Sequence, residues 1–483
     1  MRTNIKIKTH SRIMTSVVAL ILIFISTFGI ASAEEITPEE AIQWGIEHNY
    51  DLNAIRYSIT ELERNLDILD ASESFQVNLS ATPIWYFGKN EEEVIEMSDS
   101  SLTPSTEISV TATKVLADNI HLSTELAWES GSIDQIDLEE MVKEINADIK
   151  LSKQIYPETW TDNEKQVFDI KNSLQIRLEE LKWEVAEKQI EFIQDYLEII
   201  RLQEQVNISK EQVRLAEETL ARVKREIALG EGGYQQEAEA QITLDEAKNQ
   251  LFSLEQSLGQ TKKQWYLILG LPKETVVSFE NGSDFIQALF SQMETLQISD
   301  DKTEELINEA LENHYQLKNS TLEKEALLKE LEWAKDNGKP KVNLSAGYQY
   351  PDDWFAMIDF SVNLADGGLQ KLEEEQKQAD IEQKEVSITY LVEQIILELE
   401  QLMDQDQYNQ LHLNTQFLAL EKEQNRTEII EKQYRQGSIS ISLWQNELLT
   451  LIEKELNVKQ AEDQWFINRL KLAHFIGCLQ EEI

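Results

Sequence analysis

Phe75-Gln76-Val77-Asn78-Leu79-Ser80-Ala81-Thr82-Pro83-Ile84-Trp85-Tyr86-Phe87 alternates apolar and polar residues. Every odd position (Phe75, Val77, Leu79, Ala81, Pro83, Trp85, Phe87) is apolar, set against Gln76, Asn78, Ser80 and Thr82, which is the period of a strand with two unlike faces. Part of the stretch, Val77-Asn78-Leu79-Ser80-Ala81, recurs unchanged as Val342-Asn343-Leu344-Ser345-Ala346. The same offset carries Ile46-Glu47-His48-Asn49-Tyr50-Asp51-Leu52 onto Leu311-Glu312-Asn313-His314-Tyr315-Gln316-Leu317. Gly230 and Leu269-Gly270 match Gly437 and Ile476-Gly477 at a second, shorter offset. A repeat with two registers is a tandem duplication, and the shortening between them means that the first copy carries an insertion between its first strand and its long helix.

Outward from the strands the period changes from 2 to 3.6. Asn163 to Leu229 contains neither Gly nor Pro, and its apolar positions, among them Leu174, Leu178, Leu181, Val185, Phe192, Tyr196 and Ile199, fall at helical spacing. At about 1.5 Å per residue such a helix spans roughly 100 Å. Leu369 to Gln436 is a second run of the same kind and nearly the same length. Shorter helices are expected near 37–72, beginning at Thr37-Pro38, and near 234–268, 303–338 and 438–476. Two short helices end to end match one long one, so the apolar stripes are expected to pack as coiled coils in a tube wall.

Copy two repeats the alternation near 341–350, and its return strand near 354–365 carries Trp354, Ala356, Ile358, Phe360, Val362 and Leu364 on one face. In copy one the return strand is expected near 146–156, through Ile149, Leu151 and Ile155. The insertion, between about 88 and 146, holds two further segments near 105–117 and 119–129, with Ile108, Val110, Ala112 and then Ile120, Leu122, Leu126, Trp128, and a turn at Asp118-Asn119. Strands of about ten residues with aromatic ends, short inner turns and long outer loops suit a membrane barrel. A half-buried soluble sheet has the same alternation. Export and the long flanking helices favour the barrel, with Trp85, Phe87, Trp128, Tyr348, Tyr350 and Trp354 at the membrane interface.

The expected domains are a signal peptide at 1–33, a first repeat at 34–270, a linker at 271–302 and a second repeat at 303–483. Arg2, Lys6, Lys8 and Arg12, the apolar run Ile13 to Ile30, and Ala31-Ser32-Ala33 form the signal. An uncleaved anchor is the alternative, and the small-residue triplet argues against it. The 89 acidic and 44 basic residues leave a formal charge of −45, which disfavours nucleic acid. That charge suits either a solvated acidic surface or a cation-favouring conduit. The single cysteine, Cys478, excludes an internal disulfide, and the six histidines form no metal-spaced pair. No metal, cofactor or catalytic residue is expected. Phosphate-cradling glycine loops and nucleophile motifs are absent from the sequence, so an enzyme is not expected.

The ordered set of helix, strand pair, long helix, glycine turn and helix, duplicated, with Phe360-Ser361-Val362-Asn363-Leu364-Ala365-Asp366-Gly367-Gly368 closing a strand, resembles the TolC family of outer-membrane efflux and secretion channels. The resemblance covers essentially the whole chain after residue 33. It implies an α+β membrane protein: a homotrimer sharing one outer-membrane β-barrel, continuous with an α-helical coiled-coil tunnel in the periplasm. Family members normally contribute four strands each; six here would make 18 strands rather than 12. The resemblance also implies passive conduction, as the exit channel of a tripartite efflux pump or type I secretion system. Its partners would be a periplasmic adaptor (membrane fusion) protein, an inner-membrane RND, ABC or MFS transporter, and outer-membrane lipid. Gly230, Gly232, Gly233, Arg435, Gly437 and Ser438 would form the periplasmic tip turns where an adaptor docks. Tyr434 matches an aromatic of the family's entrance constriction. The family's Arg two positions after the second glycine is Ile439 here, and its acidic positions meet Leu443 and Asn446, leaving Asn446, Glu447, Glu237 and Glu239 as entrance candidates. The alternatives are an exported soluble coiled-coil protein, which needs no alternating strands, and a stand-alone porin or adhesin, which needs no such helices.

Overall fold

Where the alternating stretch begins, the chain leaves an α-helix at Glu73 and enters a strand at Gln76. The computed structural model describes residues 35–86, 103–116, 119–130, 146–231, 233–279, 287, 288, 290, 291, 303–350 and 353–477. The expected signal peptide at 1–33, Phe87, Asp118, Gly232, Cys478 and most of the expected linker and of the insertion's loops lie outside the described residues.

The first copy reads β1 (Glu35–Ile36), α1 (Pro38–His48), α2 (Tyr50–Glu73), β2 (Gln76–Tyr86), β3 (Thr103–Leu116), β4 (Ile120–Ser130), β5 (Asn146–Tyr156), α3 (Asp162–Ala228) and α4 (Tyr234–Ile268). After β6 (Val276–Val277), the second reads α5 (Thr303–Asn313), α6 (Tyr315–Asn337), β7 (Lys341–Tyr350), β8 (Asp353–Ser361), α7 (Leu369–Arg435) and α8 (Ile441–Phe475). Helix lengths repeat as 11, 24, 67 and 35 residues and as 11, 23, 67 and 35.

The single helices expected over 37–72 and 303–338 are corrected by the structure: each breaks at one residue, Asn49 or His314, which occupy equivalent positions in the two copies. Asn49 takes extended backbone angles, keeps its N–H on Gly45 O at 2.8 Å, and donates through Nδ2 to Ile268 O at 2.9 Å. His314 is likewise extended, with its N–H on Ala310 O at 2.9 Å. At Asn49 the break is therefore held by a side-chain hydrogen bond that a straight helix would not make. The strand expected to reach residue 365 stops at Ser361. The turn after it is set by Asp366, whose carboxylate accepts from Gly368 N and Gln370 N at 2.8 and 3.0 Å, with Gly367 and Gly368 in the left-handed region.

The chain forms two compact units. The first comprises Met1–Asn49, Glu191–Thr295 and Leu420–Asn457. Its core gathers Ile42, Phe192, Ile193, Tyr196, Trp265 and Leu269, with Trp265 Nε1 donating to Phe192 O. Gly45 is required there because a Cβ would collide with Leu269 and come within 3.0 Å of Phe192 Cε2. Thr37 and Glu40 close a capping box at the start of α1, and β1 pairs with β6 in parallel.

The second unit comprises Tyr50–Ile190, Leu296–Ala419 and Val458–Ile483. It holds the six-stranded sheet, ordered β2-β3-β4-β5-β7-β8 and antiparallel at every pairing. The inserted hairpin β3–β4 sits inside the sheet, between β2 and β5. The helical core of this unit contains Trp183, Leu306, Ala310, Ile395, Leu399, Leu472 and Phe475. Arg469 and Asp406 form a buried two-point ion pair at 3.1 and 3.2 Å in the same unit.

Candidate functional site

The register of the sheet sorts its side chains by face. Directly opposed residues share a face, so Val77↔Ala112, Leu79↔Val110, Val110↔Leu126, Leu126↔Ala147, Ile149↔Tyr348, Leu151↔Ala346, Leu344↔Ile358 and Tyr348↔Trp354 belong to one continuous surface across all six strands. Val77, Leu79, Leu126, Ile149, Leu151, Leu344, Ile358 and Phe360 on it are exposed. The opposite face carries Asn78, Ser80, Ser109, Thr111, Ser123, Ser152, Asn343 and Gln349. Glu125, Asp148, Asp353 and Asp359 also lie there, with Lys150 and Lys341. A soluble sheet buries its apolar face; this one leaves it uncovered and places most of its charge on the other side.

Both ends of the sheet are defined by the chain. Helices α2, α3, α6 and α7 join it at one end, where β3 and β4 also turn. At the other end the connections are 87–102, 131–145 and 351–352. Tyr348, Tyr350 and Trp354 cluster there, Tyr348 and Trp354 with ring centroids 5.0 Å apart, and Trp354 is 83% exposed. Trp85 and Trp128 have their backbones in β2 and β4, paired with Pro104 and Ile108, and their side chains lie outside the described part.

The two hairpins of the first unit, α3 to α4 and α7 to α8, end alike. Gly230 N donates to Ile227 O and Glu231 N to Glu226 O, both at 2.9 Å; Gly437 N donates to Tyr434 O at 2.8 Å and Ser438 N to Gln433 O at 3.0 Å. These are left-handed caps with φ of +82° and +73°, and beyond its chain neighbours neither glycine has an atom of the described residues within 4 Å of where a Cβ would stand, so conformation alone demands glycine. Gly233 caps α4 from the extended region, and Ser438 Oγ adds a bond to Gln433 O at 2.8 Å. Arg435 pairs with Glu431 within its own helix. Leu229 and Tyr234 project bare into solvent beside the first turn, Tyr234 at 84% exposure.

No protein-family model matches the sequence, and no curated protein matches it. Solved structures do. The CmeC outer membrane channel of Campylobacter jejuni is 12% identical, with a TM-score of 0.64 over 95% of this chain and 92% of its own. CusC, solved for the conformational changes accompanying its folding and transmembrane channel formation, is 13% identical, with a TM-score of 0.62 over 94% and 95%. The outer membrane protein VceC of Vibrio cholerae is 13% identical, with 0.59 over 91% and 96%. The chain has the TolC-type channel fold.

Within this TolC-type fold the entrance candidates are scattered. Tyr434 stacks on Trp444 at 5.0 Å with 6° between the rings, fastening α7 to α8 just before the turn. Asn446 is exposed, Glu239 accepts from Gln235, and Glu237 lies 3.9 Å from Lys224. Glu447 is buried, as is Glu423, against which it is pressed; Arg426 Nε reaches Glu447 Oε1 at 2.7 Å. Burial raises the Glu447 carboxyl above the usual range, the hydrogen bond with Glu423 adds to this, and Arg426 opposes it. No local sequence signal marks Glu423 or Arg426, which stand on α7 while Glu447 stands on α8.

A second group without a sequence signature lies in the core of the other unit. Trp183 sits 4.6 Å from the His314 ring and 4.0 Å from the His474 ring. His314 and His474 are nearly fully buried, and His474 has no hydrogen bond at either ring nitrogen among the described residues. Burial pushes both rings down to about 4, His474 also by the neighbouring His314. No group of three or more potential metal ligands occurs among the described residues, and none of their helices is long and apolar enough to cross a membrane.

Proposed function

We propose that this chain is one protomer of a homotrimeric exit channel of the TolC family in the outer membrane, with its helices in the periplasm. It passively conducts cargo received from an inner-membrane transporter of the RND, ABC or MFS type. The observation that carries the reading is the two-faced register: an uncovered apolar surface spanning six strands, backed by a hydrophilic one, is what a barrel wall between lipid and water requires. The channel fold of the compared structures supports it.

Closure needs further copies. Among the described residues, strands β2 and β8 each keep one unpaired edge, which no lipid-facing sheet can leave open. With an even number of antiparallel strands per chain, β8 of one copy meets β2 of the next antiparallel, and three copies give 18 strands. A contact surface for those copies is present on α7, where Val386, Tyr390, Leu397, Tyr408, Leu411 and Leu418 stand exposed at steps of 4, 7, 11, 3 and 7, the spacing of a coiled-coil seam. In this reading the Gly230 and Gly437 turns face the adaptor protein, and the Tyr434–Trp444 stack holds the entrance helices together.

Purified protein reconstituted in planar bilayers should form discrete channels and migrate as a trimer after mild detergent extraction. Recovery in the aqueous phase, with no conductance, would overturn the proposal.

A further inference from the structure

The apolar face of the sheet carries two charges among the residues whose side chains are described. Lys114 stands opposite Leu122, which stands opposite Leu151; Lys153 stands opposite Leu344. The carboxylates placed by register among those residues, Glu125, Asp148, Asp353 and Asp359, are on the other face. In a chain with 89 acidic and 44 basic residues, a face that admits only cations is a selective arrangement.

Both lysines lie near the helix-bearing end of the sheet, Lys114 two positions before the end of β3 and Lys153 three before the end of β5. Strands β3 and β5 flank β4, and Lys114 is level with Leu151, two residues from Lys153, so the two stems are about 12 Å apart, about 10 Å across the sheet and about 7 Å along it, and long four-carbon side chains can converge from there on one group. Neither has an ion pair among the described residues. The exposed rings of Tyr156 and Phe360 and the exposed Leu116 stand at the same end. From Lys114 back to Pro104, β3 makes ten steps, about 34 Å along the strand and about 25 Å along the membrane normal at the usual barrel tilt, which is the height of an outer-membrane apolar band. Lys114 then falls at head-group depth in the periplasmic leaflet when the far end of the sheet is at the outer interface.

We infer that Lys114 and Lys153 form a docking site for the phosphate of an anionic phospholipid in the inner leaflet, its acyl chains lying on the apolar face above. The inference rests on the membrane-barrel reading. A lipid rather than free phosphate is the occupant because the lysines open onto an apolar surface continuous with Leu122, Leu151 and Leu344, which only an amphiphile can cover.

Protein is reconstituted into phosphatidylcholine vesicles with and without about one-fifth phosphatidylglycerol, insertion is checked by flotation and conductance, and retained lipid is measured by native mass spectrometry. The expected result is phosphatidylglycerol enrichment of about fivefold per lysine, lost in the Lys114→Gln/Lys153→Gln double variant and kept in Lys150→Gln on the opposite face. It should also persist in excess inorganic phosphate. Equal retention of both lipids by inserted wild-type protein would mean that the lysines only snorkel to water, and would overturn the inference. Loss of enrichment in Lys150→Gln, or displacement by inorganic phosphate, would do so too. Failure to insert into either vesicle would instead strike at the channel reading itself.

Discussion

Single buried groups carry unusual weight in the second unit. His314 and His474 sit beside Trp183 with their neutral forms favoured, both lowered from 6.5 to about 4 by burial. The unfolded chain binds protons near pH 6.5 that the folded one refuses. Stability from the neutral rings is therefore complete above pH 6.5 and is lost as pH falls towards 4, on the order of 3 kcal/mol per ring. Urea denaturation of detergent-solubilised protein across that range should show the loss, and His474→Gln should roughly halve it. Arg469 presents the opposite case, a buried charge satisfied by Asp406. Arg469→Met strands the carboxylate and is expected to cost about 3–5 kcal/mol, whereas Arg469→Met with Asp406→Leu should recover most of that loss in the same assay.

Among elements, legibility follows how local the deciding interaction is. The alternation around Val77 and Val342 is visible in the sequence because a strand's two faces meet unlike surroundings, and long runs without Gly or Pro disclose α3 and α7. The glycines at 230 and 437 are readable as left-handed caps for the same reason. The breaks at Asn49 and His314 are not, since apolar positions continue across them and the hydrogen bond that secures one of them is donated to a carbonyl 219 residues away. Asn49→Ala should remove the link to Ile268 O and leave that carbonyl unsatisfied, a loss of about 1–3 kcal/mol, while leaving helix content by circular dichroism nearly unchanged. The partnership of Glu447 with Glu423 is hidden for the same reason as the break, and so are the contacts that bring two histidines to Trp183. By contrast Lys114 and Lys153 follow from strand parity once the register is known.

At the level of the whole molecule, the decisive property is that one face of the sheet is predominantly apolar on all six strands. Leu126→Arg, at the middle of that face, should block membrane insertion, with a cost of about 2–4 kcal/mol; Asn78→Arg on the other face should insert normally. On the same hydrophilic face, Glu125↔Asp148 and Gln349↔Asp353 place carboxylates on neighbouring strands. Reversal potentials in a salt gradient should therefore favour cations, and the triple variant Glu125→Gln, Asp148→Asn, Asp353→Asn should weaken that preference.

All four helices that meet the sheet leave it from a single end. With the sheet in the membrane, assembly never has to carry a helix across the bilayer: only the connections 87–102, 131–145 and 351–352 cross, while the helices stay in the compartment where they were released. On that reading the great length of the helices adds nothing to what must pass through the membrane.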